Sequence, residues 1–230
     1  MDKYLGPYLL GPNDTPENGI YMGDARLLSE AIPDESVSLI FTDPPYAREF
    51  VYLFSELAKI GKRVLYPESF CITLSGAAYL DSIIPLMSNS LDYYWLGGMP
   101  HTMGHVARYH PRQILNSAKP VLWYAKGTGK KHSYVFDYFP SKIDKDFHEW
   151  GQPVPWFAYY IEKLTNPSDI ILDPFTGGGA IPAACKILGR KYLAFEISET
   201  VAEQARERVR NTQPPLFVLA PEQIAMEFPT

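Results

Sequence analysis

Residues 41–46 read FTDPPY and residues 173–180 read DPFTGGGA. Each places an acid where an apolar run ends, then residues that shape the backbone. In the first, Pro44 and Pro45 fix φ near about −65° and carry no N–H, so the corner offers oxygen acceptors alone. These are the Asp43 carboxylate and the Pro44 carbonyl. The complementary group is an exocyclic NH2. Its two N–H donors match the two acceptors, and its nitrogen, drawn out of conjugation with its ring, becomes a better nucleophile. Tyr46 adds a ring on which a flat base can stack. Taken alone, the tetrapeptide also suits a stiff strand end with a core tyrosine.

The second motif is built for a ligand's approach. Gly177, Gly178 and Gly179 remove the side chains that would hold a ligand off the backbone, and the helix start that follows favours an anionic group. No Gly-Lys-Ser/Thr follows, so this is not a P-loop, and Ile181 and Pro182 spoil a GxGxxG spacing. The next apolar run, KYLAFEI, brings Glu196 23 residues after Asp173. That is close to the offset of about 20 residues at which an acid accepts hydrogen bonds from ribose hydroxyls. An adenosine-containing cofactor without phosphate machinery points away from ATP and towards S-adenosyl-L-methionine (SAM).

Both motifs need strands to present them. SVSLIFT reads as a buried strand delivering Asp43, and DIILD as one delivering Asp173. GDARLLSEAI is expected to be a short helix following a Pro- and Gly-rich lead-in. EFVYLFSELAKI sets Phe50, Leu53, Phe54 and Leu57 at helical spacing, with Gly61 as a stop. SFCITLS, LDYYWLG, VLWYAKG and KYLAFEI read as further strands. AAYLDSIIPLMSN (despite Pro85), PWFAYYIEKL, GAIPAACKILG and SETVAEQARERVR read as helices. Strands alternating with helices predict an α/β fold, a mostly parallel sheet covered on both faces. In such sheets ligands bind beyond the carboxyl ends of the strands.

With 230 residues, the chain suits one domain plus an insertion. We place the insertion at residues 97–118, with a basic turn at 127–133. The chain is 46% hydrophobic and 20% charged, which excludes a disordered polyelectrolyte. With no membrane-length apolar run and no signal-peptide pattern, it reads as an intracellular protein. Cys71 and Cys185 sit in apolar runs and read as buried thiols. The net charge of −5 hides an uneven distribution: residues 93–136 contain no Asp or Glu, carry +6, and leave −11 to the rest. The same stretch holds four of the five histidines, and HTMGHVARYH has no acid or cysteine partner, so no metal is expected. Arg108, Arg112, Lys130 and Lys131 are its natural phosphate contacts, and Arg112 or His110 could reach a base edge.

Together these residues resemble the amino-group DNA methyltransferases that use SAM. DPPY is similar to their catalytic motif (Asp43, Pro44, Pro45, Tyr46). DPFTGGGA is similar to their cofactor motif (Asp173, Pro174, Phe175, Thr176 and Gly177–Gly179). FEIS resembles the acidic strand end that follows, with Glu196 and Ile197, and the order of the motifs resembles the beta-group arrangement. MGDARLLSEAIPDESVSLIFTDPPY resembles that group's opening segment and implies that Asp24 lies near the cofactor adenine. A segment similar to HPxQKP is expected before the cofactor helix, but here it reads HEWGQPVPWF, with His148, Gln152 and Pro153 displaced and no lysine. The resemblance implies a Rossmann-like methyltransferase fold acting on a flipped base of double-stranded DNA. Asp at the first motif position points to adenine N6. Cytosine N4, an RNA substrate, or an inactive DNA-binding module of the same fold are the alternatives. It implies cytoplasmic action, in a bacterium or in a phage host, and so small a recognition lobe leaves room for a homodimer to enlarge the footprint.

Overall fold

The computed structural model describes residues 18–101, 107–139 and 154–213. The HEWGQP segment, with His148, Gln152 and Pro153, lies outside them, as do His105 and the tail beyond residue 213. Seven strands form the main sheet: β1 (Asn18–Met22), β2 (Val37–Thr42), β3 (Leu65–Leu74), β4 (Asp92–Pro100), β7 (Ala118–Ala125), β8 (Ile170–Asp173) and β9 (Lys191–Glu196). Their order is β1-β9-β8-β2-β3-β7-β4. From β1 to β3 the neighbours are parallel, while β7 runs antiparallel to both β3 and β4. The expected mostly parallel α/β sheet is therefore present.

Helices cover both faces because the strands alternate which side chains they send to each. On one face α4 (Val154–Leu164), α5 (Ala180–Ile187) and α6 (Glu199–Asn211) pack on Leu39, Phe41, Ile72, Trp123, Ile171 and Ala194. On the other, α1 (Ala25–Ser29), α2 (Tyr52–Val64) and α3 (Leu80–Ser88) pack on Ile40, Cys71, Tyr124, Leu172 and Phe195. β2 is buried along its whole length, as a central parallel strand must be. Its last apolar residue, Phe41, is wedged among Trp156, Phe157 and Tyr160 at ring separations of 5.0–6.2 Å. Removing such a ring costs about 3–5 kcal/mol. The aromatic cluster therefore fixes the strand end that carries Asp43. Trp156 itself is core, with Nε1 donating to the Phe139 carbonyl at 3.1 Å.

Three elements differ from the sequence reading. β1 falls in what reads as an irregular lead-in, because five residues containing Gly19 give no period to detect. Gly61 does not end α2, which runs on to Val64. It is a packing glycine, where a Cβ would come within 3.1 Å of Leu91. Residues 97–100 and 118 belong to the main sheet, so the described insertion shrinks to a hairpin of β5 (Ala107–Tyr109) and β6 (Ile114–Asn116). Both cysteines are fully buried, and burial pushes both thiols well above the usual range, which leaves them inert. No described helix is long and apolar enough to cross a membrane.

Candidate active site

The chain leaves β2 for β3 on one side and β8 for β9 on the other, and β2 and β8 are neighbours. Their carboxyl ends therefore flank the point where the sheet order reverses, the usual ligand crevice of an open α/β sheet. The two motifs meet there. The Thr42 hydroxyl donates to Asp173 Oδ1 at 2.7 Å, and the Phe175 N–H donates back to Thr42 Oγ1 at 3.2 Å. One buried threonine thus joins the corner at Asp43 to the glycine turn.

The glycine turn is held by its neighbours. The Thr176 N–H donates to the Phe195 carbonyl at 2.9 Å, and the Gly177 N–H to Glu196 Oε2 at 3.0 Å. Glu196 Oε1 accepts from the Ser198 N–H at 2.9 Å. The acid expected to take ribose hydroxyls therefore also braces the turn, and a carboxylate has lone pairs for both tasks. Gly179, at φ +74°, sits against α6, where a Cβ would lie 2.9 Å from the Ala205 Cβ. At Gly177 and Gly178, by contrast, a Cβ would meet nothing closer than 3.8 Å. Asp24 stands on the same edge, because β1 pairs Met22 with Glu196 and the Gly23 N–H donates to the Glu196 carbonyl at 2.9 Å. Its carboxylate caps α1 and pairs with Arg26, which lowers its pKa. Ile197 is exposed beside Glu196, and Pro174 is buried.

Asp173 is only 1% exposed, and burial raises its pKa from 3.8 to about 7 against the lowering by Thr42 and the Phe175 N–H. Its Oδ2 and the Thr176 hydroxyl are buried without a hydrogen-bond partner. Unsatisfied buried acceptors beside two open glycines fit a ligand carrying a cationic amine, such as the amino acid half of SAM. A pH signature follows. Between about pH 4 and 7 the unfolded chain has released a proton that folded Asp173 keeps, so this group's contribution to stability declines across that window and is constant above it. Asp173→Asn is expected to remove that decline, seen as a smaller fall in Tm from pH 4 to 7 than in the wild type.

In the Asp43 corner Pro44 is buried and Pro45 exposed. The Tyr46 hydroxyl donates to Asp43 Oδ1, and burial followed by the nearby Asp43 charge raises the tyrosine pKa well above its ordinary value. Tyr46 packs over Gly76, where an added Cβ would lie 3.1 Å from the Tyr46 Cβ and 3.4 Å from its ring. Lys119 Nζ donates to Asp43 Oδ2 at 3.1 Å and lies 5.1 Å from the Tyr46 ring centroid. In the sequence Lys119 is one of the cations of residues 93–136, with nothing beside it to suggest a role. Its signal was position, as the second residue of the strand that follows the hairpin.

The basic residues part company. The hairpin rises between the end of β4 and the start of β7, on the carboxyl edge beside Asp43, and it carries Arg108 and Arg112, both exposed. Lys130 and Lys131 follow the end of β7, and because β7 is antiparallel they lie at the amino edge, roughly 20 Å away along the strand. There the Lys130 N–H donates to the Glu68 carbonyl, and burial lowers its side-chain pKa. Lys131 and His132 line a hollow of about 700 Å³ with Tyr94, Trp95 and Trp123. The structure thus gathers the DPPY corner, the glycine turn, Asp24, Arg108 and Arg112 on one edge, and sets Lys130 and Lys131 on the other. No cluster of His, Cys, Asp or Glu suited to a metal occurs among the described residues.

Comparison with known proteins agrees with this geometry. The DNA methylase family model of N6 and N4 methyltransferases matches residues 37–207. Type II methyltransferase M.HinfI of Haemophilus influenzae is 25% identical, over 86% of this chain and 69% of its own length. M.HpaI of Haemophilus parainfluenzae is 23% identical, over 77% of this chain and 69% of its own. Among solved structures, the cytosine-N4-specific PvuII DNA methyltransferase superposes with a TM-score of 0.72 at 20% identity, over 84% of this chain and 86% of its own. The M1.HpyAVI–SAM complex gives 0.67 at 21% identity, over 83% and 98%. A crevice joining the Asp43 corner to a glycine turn, on this fold and with this match, identifies the chain as a member of the DNA methylase family, the amino-methyltransferases that use SAM.

Proposed function

We propose that this protein transfers the SAM methyl group to the exocyclic amine of a flipped base in double-stranded DNA, N6 of adenine. The observation that carries the reading is the Thr42–Asp173 bond, which makes the acceptor corner and the glycine turn one site. SAM, when bound, supplies an electrophilic methyl on a sulfonium. Gly177 and Gly178 would let it approach the backbone, Asp173 and Thr176 would meet its amino acid half, and Glu196 its ribose. Phe175, Pro174, Ile197 and Asp24 would border the remainder. Asp43 and the Pro44 carbonyl would accept the two amine N–H bonds and orient the lone pair, while Tyr46 stacks on the base. Asp43 could then take the proton the product releases. Positioning two bound reactants supplies most of the acceleration.

Cytosine N4 offers the same two donors, so the corner admits it as the second reading; the Asp of the motif favours adenine. Extruding either base costs a few kcal/mol in unstacking, and contacts to phosphate must offset that cost. Arg108 and Arg112, exposed on the same edge as Asp43, would make them. Transfer of tritiated methyl to duplex DNA in preference to single-stranded DNA and RNA is expected. Transfer to RNA alone would refute the DNA reading. The phosphate contacts have their own test. Arg108→Ala with Arg112→Ala should reduce the salt dependence of DNA binding by about one to two units of log–log slope. Lys130→Ala with Lys131→Ala should leave it unchanged, because that turn lies on the far edge.

A further inference from the structure

We propose that Lys119 is a positioning residue of the target pocket: its ammonium holds the place of the target's amino nitrogen on Asp43 and yields it when a base enters. The inference rests on reading the Asp43 corner as an amine-acceptor site. Lys119 makes the contacts that reading gives to the target, a nitrogen donor on the Asp43 carboxylate at 3.1 Å with the Tyr46 ring beside it, 5.1 Å from nitrogen to centroid. A base amine bound to the same oxygen over the same ring competes with it directly.

A corner made only of acceptors explains why a stand-in is useful. The side chains of Lys119 and Asp43 are 19% and 18% exposed, so the ammonium offsets a largely buried carboxylate charge that water screens little. That charge would also stand near Asp173, whose pKa it already helps to raise. When a base arrives, the ammonium needs a second acceptor, and His101 supplies one. The His101 backbone N–H donates to the Ser117 carbonyl at 2.8 Å, which ties it beside the start of β7, and its ring Nε2 is buried with no hydrogen-bond partner. Burial and the field of Lys119 lower its pKa, which keeps the imidazole neutral. With its proton on Nδ1, Nε2 presents a lone pair. The exchange trades one N–H···O bond for one N–H···N bond, and no covalent bond changes.

Calorimetric titration of deoxyadenosine and deoxycytidine into protein saturated with S-adenosylhomocysteine reads the corner without turnover. Lys119→Met, similar in length but uncharged, is expected to bind the preferred nucleoside about tenfold more tightly than the wild type. Lys119→Arg, which keeps the charge, should bind no more tightly than the wild type. His101→Leu should bind about threefold more weakly, because the ammonium loses its alternative acceptor. The double variant should match Lys119→Met, since His101 acts only through the lysine. Unchanged or weaker binding in Lys119→Met, or a His101→Leu loss that persists in the double variant, overturns the exchange. If S-adenosylhomocysteine binds and no variant takes either nucleoside, the amine-acceptor reading itself falls, and the exchange with it.

Discussion

Replacing Asp43 with Ala is expected to lower single-turnover methyl transfer by roughly 10²–10⁴-fold while SAM affinity stays within about threefold. The size of the loss follows from how little else the corner offers. Pro44 and Pro45 contribute no N–H, and of the two acceptors for the amine only the Asp43 carboxylate carries charge. Without it the amine keeps one hydrogen bond, to a carbonyl, and its lone pair stays conjugated with the ring. The cofactor should hardly notice, because the bond that braces the glycine turn runs from Thr42 to Asp173 and does not use the Asp43 carboxylate. Asp43→Asn should fall between the two, since its amide keeps an oxygen acceptor but loses the charge and presents N–H donors to the target. Rapid-quench transfer with tritiated SAM, paired with calorimetry of SAM binding, separates the effects. A loss confined to SAM affinity would move Asp43 from the chemistry to the cofactor pocket.

The glycine turn gives the second large effect, and there two neighbouring glycines should behave differently. Gly179→Ala combines a left-handed φ of +74° with a Cβ 2.9–3.1 Å from three Ala205 atoms, two of them backbone. Overpacking and strain of that kind cost about 2–4 kcal/mol together, or roughly 5–15 °C in Tm for a domain of this size. Gly178→Ala meets only Arg208 Nη1 at 3.8 Å and has no positive φ, so the fold should not register it. Yet a methyl group there would stand where the cofactor must touch the backbone, and SAM affinity should drop by about tenfold or more. Thermal unfolding and calorimetry on both variants test the contrast. A Gly178→Ala protein that folds and binds SAM normally would place the cofactor elsewhere.

What could be read from the sequence followed how local the signal was. Strands β2 and β8, their terminal acids and the glycine turn are each written in consecutive residues, so Asp43, Asp173 and Glu196 were legible with the edge they share. That Thr42 bridges the two motifs was not, because it pairs residues 131 apart. The basic turn sits apart from the Asp43 edge for a topological reason. VLWYAKG reads equally well in either direction, and its antiparallel course sends Lys130 and Lys131 to the edge opposite Asp43. Lys119 escaped notice because one lysine before a proline looks like solvated surface until Asp43 and Tyr46 are seen around it. β1 was missed for its brevity, although it is the strand that sets Asp24 beside Glu196.

The central claim is that the Asp43 corner presents a base amine to a methyl group held at the glycine turn. Duplex DNA incubated with trideuteromethyl SAM, digested to nucleosides and analysed by mass spectrometry tests it most directly. The expected product is N6-trideuteromethyl-deoxyadenosine, formed by the wild type and absent with Asp43→Ala. Label on a ring carbon, as in 5-methyl-deoxycytidine, or label at an amine undiminished in Asp43→Ala, would contradict the account.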